Sequence, residues 1–247
     1  MWRSFVALIL FVGAHRCASA ADDLVIKGGP ERVSLVELYT SEGCSSCPPA
    51  EKWLSGLQKD PRLWRTLVPV AFHVDYWDRL GWKDRFAQAS FTERQRAYST
   101  GAAASSVYTP GFVVDGREWR GWFENVSLPS RPERVGVIEA RSSSTGDVIV
   151  NFSSQTKFEE GTAHVAWLGF GLVSDVRRGE NAGHSLRHDF VVLNHASGKL
   201  SRNGEGRWTA KIESPRISDR PGAIAVWVET GGRPVQAAGG WLGRSLP

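Results

Sequence analysis

The stretch Val36-Glu37-Leu38-Tyr39-Thr40-Ser41-Glu42-Gly43-Cys44-Ser45-Ser46-Cys47-Pro48-Pro49-Ala50 runs from an apolar strand pattern into a helical one, with two cysteines at the junction. Two thiols separated by two residues at the start of a helix can interconvert between dithiol and disulfide. A helix N-terminus carries unpaired N–H groups and the positive end of the macrodipole, so it favours a thiolate over a thiol. Pro48 and Pro49 fall in the first turn, where a missing donor costs least. Trp53, Leu54 and Leu57 then recur at helical spacing.

Working outward, Val33 to Tyr39 and Leu67 to Val74 predict two buried strands, and Lys83 to Tyr98 a polar helix. Phe112-Val113-Val114 and Glu118 to Trp122 flank Asp115-Gly116, a hairpin signal. Ser130-Arg131-Pro132-Glu133 predicts the start of another helix, carrying Val135, Val137 and Ile138. Beyond the polar seam at 141–146 the rhythm becomes all-β: Val148 to Phe152, Ala163 to Leu168, Phe190 to Leu193, Gly206 to Ile212 and Ile224 to Glu229. Short strands at this spacing imply an antiparallel, sandwich-like unit.

The ends and the composition narrow the function. Met1-Trp2-Arg3, the apolar run Phe5 to Val12 and Ala18-Ser19-Ala20 read as a secretory leader over residues 1–20. That run is too short to span a bilayer, and no later segment is longer, so the finished chain is expected to be exported, in the periplasm or beyond, without a membrane span. Cys17 lies inside the leader, and His15-Arg16 before it argues against lipid attachment. The leader holds two arginines of the chain's 30 basic residues and none of its 26 acidic ones. The remaining charge is close to balanced and forms no dense basic stripe, which disfavours nucleic acid as a partner. An oxidising compartment keeps a close thiol pair as a disulfide, whether it turns over or only staples.

The order β-α-β, helix, β-β-α, with a cysteine pair after the first strand and a proline opening the third, resembles the thioredoxin fold. The quoted stretch, with Phe72-His73-Val74-Asp75-Tyr76-Trp77 and Gly179-Glu180-Asn181-Ala182-Gly183, looks more closely like a family of secreted bacterial thioredoxin-like proteins whose function is not established. The resemblance implies an α/β thioredoxin-like domain over residues 31–141 and a β-rich, sandwich-like domain over 147–247. It further implies that Cys44 attacks a partner disulfide and Cys47 resolves the mixed disulfide. Ser45 and Ser46 would help to hold the negative charge, while Glu42 would oppose it. Thioredoxins carry an acid in the strand before the pair that takes a proton from the deeper thiol, and Glu37 aligns with it. The link from Glu37 to Cys44 is one residue longer than usual. The acid stands in an apolar strand, where burial would raise its pKa unless it reaches an edge or pairs with an arginine. Thr109-Pro110, by composition a turn, would by the same analogy be a cis bond facing the pair and contacting substrate.

Asp75, Tyr76, Trp77, Asp78 and Trp82 follow the second strand, to line a groove for an extended peptide or to pack an interface. Two cysteines exclude a four-thiolate zinc site; a mixed site would need His73, or His184 with His188. Within the polar segment Asp175 to Asp189, the last two read instead as surface histidines facing a partner. The expected function is an exported thiol–disulfide oxidoreductase that acts on protein dithiols and disulfides with a redox partner and no bound cofactor. Its competitors are a binding module with a fixed disulfide and a copper- or zinc-handling protein.

Overall fold

Strands dominate the regular structure, some buried along nearly their whole length and others only at alternate residues. The computed structural model describes residues 24–243 apart from 102, 125, 144, 145 and 218; the leader assigned to residues 1–20 lies outside the described residues. Chain order runs β1 (Val25–Gly28), β2 (Ser34–Thr40), α1 (Cys47–Gly56), β3 (Leu67–His73), α2 (Ala89–Thr100), β4 (Gly111–Val114) and β5 (Arg117–Trp119). It continues with β6 (Gly136–Ser142), β7 (Val148–Ser154), β8 (Thr162–Gly169), β9 (Leu172–Asp175), β10 (Ser185–His188) and β11 (Val191–Lys199). β12 (Ser201–Arg202), β13 (Trp208–Ile212), β14 (Ala223–Thr230) and β15 (Arg233–Trp241) complete it.

The expected fold class is overturned. Among the described residues 42% lie in strands and 13% in helices, with two α-helices, and the strands form three sheets. An α/β unit followed by a separate sandwich does not describe it. Eight strands form one sheet in the order β15-β14-β8-β11-β3-β2-β4-β5, which draws on both halves of the sequence. The junction is the parallel pairing of β11 with β3, where Val191 faces Ala71 and the Ala71 N–H donates to Phe190 O at 2.8 Å. β1, β6, β7, β13 and β12 form a five-stranded antiparallel sheet, and β9 and β10 a two-stranded one.

The reason for the merger lies in the strands themselves. β8 and β14 are nearly continuous apolar runs, the pattern of strands buried on both faces. In β14, Ile224, Val226 and Val228 pack into the core against the five-stranded sheet. Ala223, Ala225 and Trp227 point the other way, and Trp227 lies under Arg94 of α2. A strand buried twice cannot stand in a half-solvated sandwich.

The helix expected from Ser130 is also absent: Gly136 to Ala140 forms most of β6, with burial alternating along it. Gly136 holds φ at +129°, outside helical space, beside the backbone of Ser153. The Asp115-Gly116 hairpin is present, with φ of 49° and 72° at the two positions, joining β4 to β5. Among the described residues no helix is long and apolar enough to cross a membrane.

Candidate functional site

Cys44 and Cys47 are joined as a disulfide with Cα atoms 5.4 Å apart, at the entry to α1. The turn is fixed by the Cys47 N–H donating to Cys44 O at 3.1 Å and the Cys44 N–H to Ser41 O at 3.1 Å. Ser45 and Ser46 between them are exposed, and Ser46 Oγ lies 3.4 Å from Cys44 Sγ. The sulfurs themselves are covered, Cys44 being 1% and Cys47 0% exposed.

The turn between β9 and β10 is fastened to the disulfide loop. The Glu180 carboxylate accepts from the Ser45 N–H at 3.1 Å and from Ser45 Oγ at 2.7 Å. These bonds hold its pKa below the usual carboxylate value. Buried Asn181 donates from Nδ2 to Glu42 O at 2.8 Å and to Cys44 O at 2.9 Å. The turn closes through Gly183 N–H to Val176 O at 2.8 Å, with Gly179 and Gly183 both at positive φ.

Thr109 is linked to the disulfide turn through Trp77. Trp77 Nε1 donates to Thr109 Oγ1 at 2.7 Å, and a Cβ on Gly43 would stand 3.0 Å from Trp77 Cβ. Trp77 therefore bridges the two loops. The Thr109–Pro110 peptide is cis. Asp75 is turned elsewhere: its Oδ1 accepts from Thr92 Oγ1 at 2.6 Å, tying the end of β3 to α2.

Glu37 takes the arginine-paired option. Its carboxylate accepts from Arg94 Nε at 2.8 Å, Tyr39 OH at 2.8 Å and Tyr98 OH at 2.6 Å, at 0% exposure. Arg94 and Tyr98 belong to α2, whereas Thr40 bonds to Glu51 of α1 at 2.5 Å. Side chains three apart on a strand leave opposite faces, so Glu37 and α1 are separated by the sheet. This geometry gives Glu37 a structural ion pair rather than a proton path to Cys47. Burial and the Glu37 charge push the Tyr39 and Tyr98 hydroxyls well above their usual pKa.

The acids near the disulfide are others. Glu51 sits one turn along α1 from Cys47, and Glu42 precedes Gly43. His188 Nδ1 lies 2.5 Å from Glu51 Oε2, and its Nε2 lies 3.4 Å from Glu42 Oε1. Burial disfavours the imidazolium, but hydrogen bonds and charge from Glu42 and Glu51 outweigh it and push the His188 pKa up to about 10. Burial likewise opposes ionisation of Glu51, and the bond and charge of His188 still lower its pKa. Trp82 Nε1 donates to Glu42 Oε2 at 2.6 Å, and His73 Nδ1 lies 2.7 Å from Asp84 Oδ2. His188 is 1% exposed, which corrects the expected surface location; His184 is exposed. Glu51, Asp84 and Asn181 were missed as site residues, and a carboxylate four residues past Cys47 on a packed helix was the available signal for Glu51.

Residues 35–229 match a family described as a protein of unknown function (DUF1223). The chain belongs to the DUF1223 family. The matched span includes the disulfide, the Glu180–Asn181 turn and the His73–His188 cluster. This DUF1223 chain is similar in structure to protein AGR_C_4864 from Agrobacterium tumefaciens, with 23% identity and a TM-score of 0.58 over 89% of this chain and 99% of that one. It is also similar to HBP35 of Porphyromonas gingivalis, with 12% identity and a TM-score of 0.57 over 89% of this chain and 78% of that one. At these identities the likeness concerns the fold alone. Among curated proteins none matches.

Proposed function

We propose that this DUF1223 protein exchanges disulfides with other proteins through Cys44 and Cys47, and that the Glu180–Asn181 turn controls access to the pair. The observation that carries the reading is a two-residue-spaced disulfide at a helix start, buried in a loop that polar side chains of a distant turn hold by hydrogen bonds. Such a turn can lift into water, because each of its bonds has a solvent substitute. With the turn lifted and the pair reduced, the Cys44 thiolate attacks one sulfur of a partner disulfide and releases the other as a thiolate. Cys47 then attacks Cys44 Sγ, closes the ring and frees the second partner thiol. The partner gains the two electrons that the pair loses, and a second protein dithiol restores the reduced pair. Ser45, Ser46, Trp77, Thr109 and Pro110 border the approach to Cys44. The leader-like residues 1–20 agree with an exported protein working in an oxidising compartment.

The test is trapping in the full-length protein. Cys47→Ala is expected to accumulate mixed disulfides with partner proteins, and Cys44→Ala to lose exchange. If Cys47→Ala traps nothing in cells where a control oxidoreductase traps its substrates, the reading fails. The near-complete burial of both sulfurs favours one competitor, a binding module with a fixed staple. Unchanged function in a Cys44→Ser, Cys47→Ser double variant would select that competitor.

A further inference from the structure

We propose that the buried cluster of Glu51, His73 and His188, with Glu42 beside His188, is a binding site for a divalent transition-metal ion of the zinc class, with Asp84 orienting the His73 imidazole. The inference does not rest on disulfide exchange.

Charge is the first argument. Glu42, Glu51 and Asp84 are 0%, 7% and 1% exposed, and among the described residues no lysine or arginine forms an ion pair with any of them. The groups available to balance them are His73 and His188, each 1% exposed. Three buried carboxylates against two imidazoles leave negative charge that a small cation offsets.

Unpartnered atoms are the second. His73 Nε2 is buried without a hydrogen-bond partner, and His188 Nε2 and Glu42 Oε1 meet only each other, at 3.4 Å and outside good hydrogen-bond geometry, although buried polar atoms ordinarily find a well-aligned partner. The other ring nitrogen of each histidine is held by a carboxylate: His73 Nδ1 by Asp84 at 2.7 Å and His188 Nδ1 by Glu51 at 2.5 Å. A carboxylate on Nδ1 with Nε2 left free is the arrangement that orients metal-ligating histidines. Glu42 repeats it, since Trp82 occupies Oε2 and leaves Oε1 open.

Spacing is the third. Zinc holds imidazole nitrogen and carboxylate oxygen at about 2.0–2.2 Å, so two ligands of a tetrahedral shell stand about 3.4 Å apart. His188 Nε2 and Glu42 Oε1 are 3.4 Å apart. Glu51, His73 and His188 each present a ligand-type atom, all within 4.8 Å of one another. The ring centroids of His73 and His188 are 5.1 Å apart, and Phe86 packs edge-on against both, forming an apolar wall. A cavity of about 350 Å³ lined by Pro48, Glu51, Lys52, Leu186, Arg187 and Asp189 reaches the cluster from outside at Glu51. Two imidazoles and a carboxylate suit zinc and leave a coordination position open.

The experiment uses the full chain stripped with chelator, titrated with Zn²⁺ by calorimetry and with Co²⁺ by visible absorption. The expected result is one equivalent per chain with the intense absorption of four-coordinate Co²⁺. His188→Gln and His73→Gln are expected to lose binding, while Asp84→Asn weakens it by about 10–100-fold. The Cys44→Ser, Cys47→Ser double variant is expected to bind as the wild type does. Circular dichroism and the urea midpoint identify variants that fail to fold. Should the histidine variants do so, Glu42→Gln and the Co²⁺ spectrum of the wild type decide the matter. Absence of Zn²⁺ uptake by the folded wild type overturns the proposal and leaves His188 as a cation between two carboxylates. Binding that survives loss of both histidines, or that needs the cysteines, overturns it too.

Discussion

Replacing Asn181 with alanine removes two hydrogen bonds that fasten the β9–β10 turn to the disulfide loop, those to Glu42 O and Cys44 O. Each is worth about 1 kcal/mol net, because the carbonyls recover water once the turn lifts. Their loss therefore weakens closure by about 2 kcal/mol, or about 30-fold in the ratio of closed to open forms. Reduction by a small dithiol needs access to a sulfur that is 1% exposed in Cys44, so its rate follows the open population when reclosing is fast. Pseudo-first-order reduction of Asn181→Ala at neutral pH, read by thiol alkylation and mass, is expected to run about 30-fold faster than wild type. Global unfolding offers a second route to the sulfurs, so Gly136→Ala, destabilised far from the site, serves as the control and is expected to reduce at the wild-type rate. Equal rates for Asn181→Ala and wild type would refute the reasoning. So would equal acceleration in Gly136→Ala.

Three further outcomes follow from the same contacts. Arg94→Met strips the cation from Glu37 and Glu229, which it bonds at 2.8 and 2.5 Å. The unpaired buried carboxylates are expected to lower unfolding free energy by about 3–5 kcal/mol, and a urea-measured loss under about 1 kcal/mol would dismiss the ion pair as a support. Gly136→Ala forces a Cβ against Ser153 O at a φ of +129°; a loss of about 1–3 kcal/mol is expected, and an unchanged thermal midpoint would contradict it. Burial, with the His164 and Arg94 charges, lowers the His195 pKa to about 3. The folded chain therefore refuses a proton that the unfolded chain accepts below about 6.5. Stability should fall on acidification by up to about 1.4 kcal/mol per pH unit across the window from 6.5 to 3. Urea midpoints from pH 7.5 to 5 test this: a flat profile, or an equally steep one in His195→Gln, would count against it.

What could be read in the sequence was local. The Asp115-Gly116 turn, the helix opened by Pro48 and Pro49, and the apolar runs of β2, β3, β8 and β14 each carry their own signal within a few residues. The architecture was not legible, because it depends on Val191 meeting Ala71 across a wide gap in sequence, and neither segment encodes its partner. The Ser130-Arg131-Pro132-Glu133 motif looks like a cap, yet Ile138 and Ala140 alternate as a strand does and their burial against the second core prevails. At the site, the Cys44–Cys47 pairing was visible in its spacing, and the cis bond at Thr109-Pro110 in its proline. The bonds of Glu37 to Arg94, of Asn181 to Cys44 O and of His188 to Glu51 were not, since each joins side chains from elements distant along the chain. A histidine in a glycine-bearing polar segment looks solvated until β10 is placed against α1.

The β3–β11 pairing also sets an order of events during synthesis. A nascent polypeptide that has released β2, α1 and β3 still lacks the strand that will occupy the free margin of β3, and more than half of the eight-stranded sheet has not been made. Until residues 191–199 leave the ribosome, that margin offers unpaired amides and carbonyls to any extended neighbour. Folding therefore waits on distant contacts, the slow and aggregation-exposed regime. A fragment ending near residue 141 should precipitate rather than persist as a miniature of the whole.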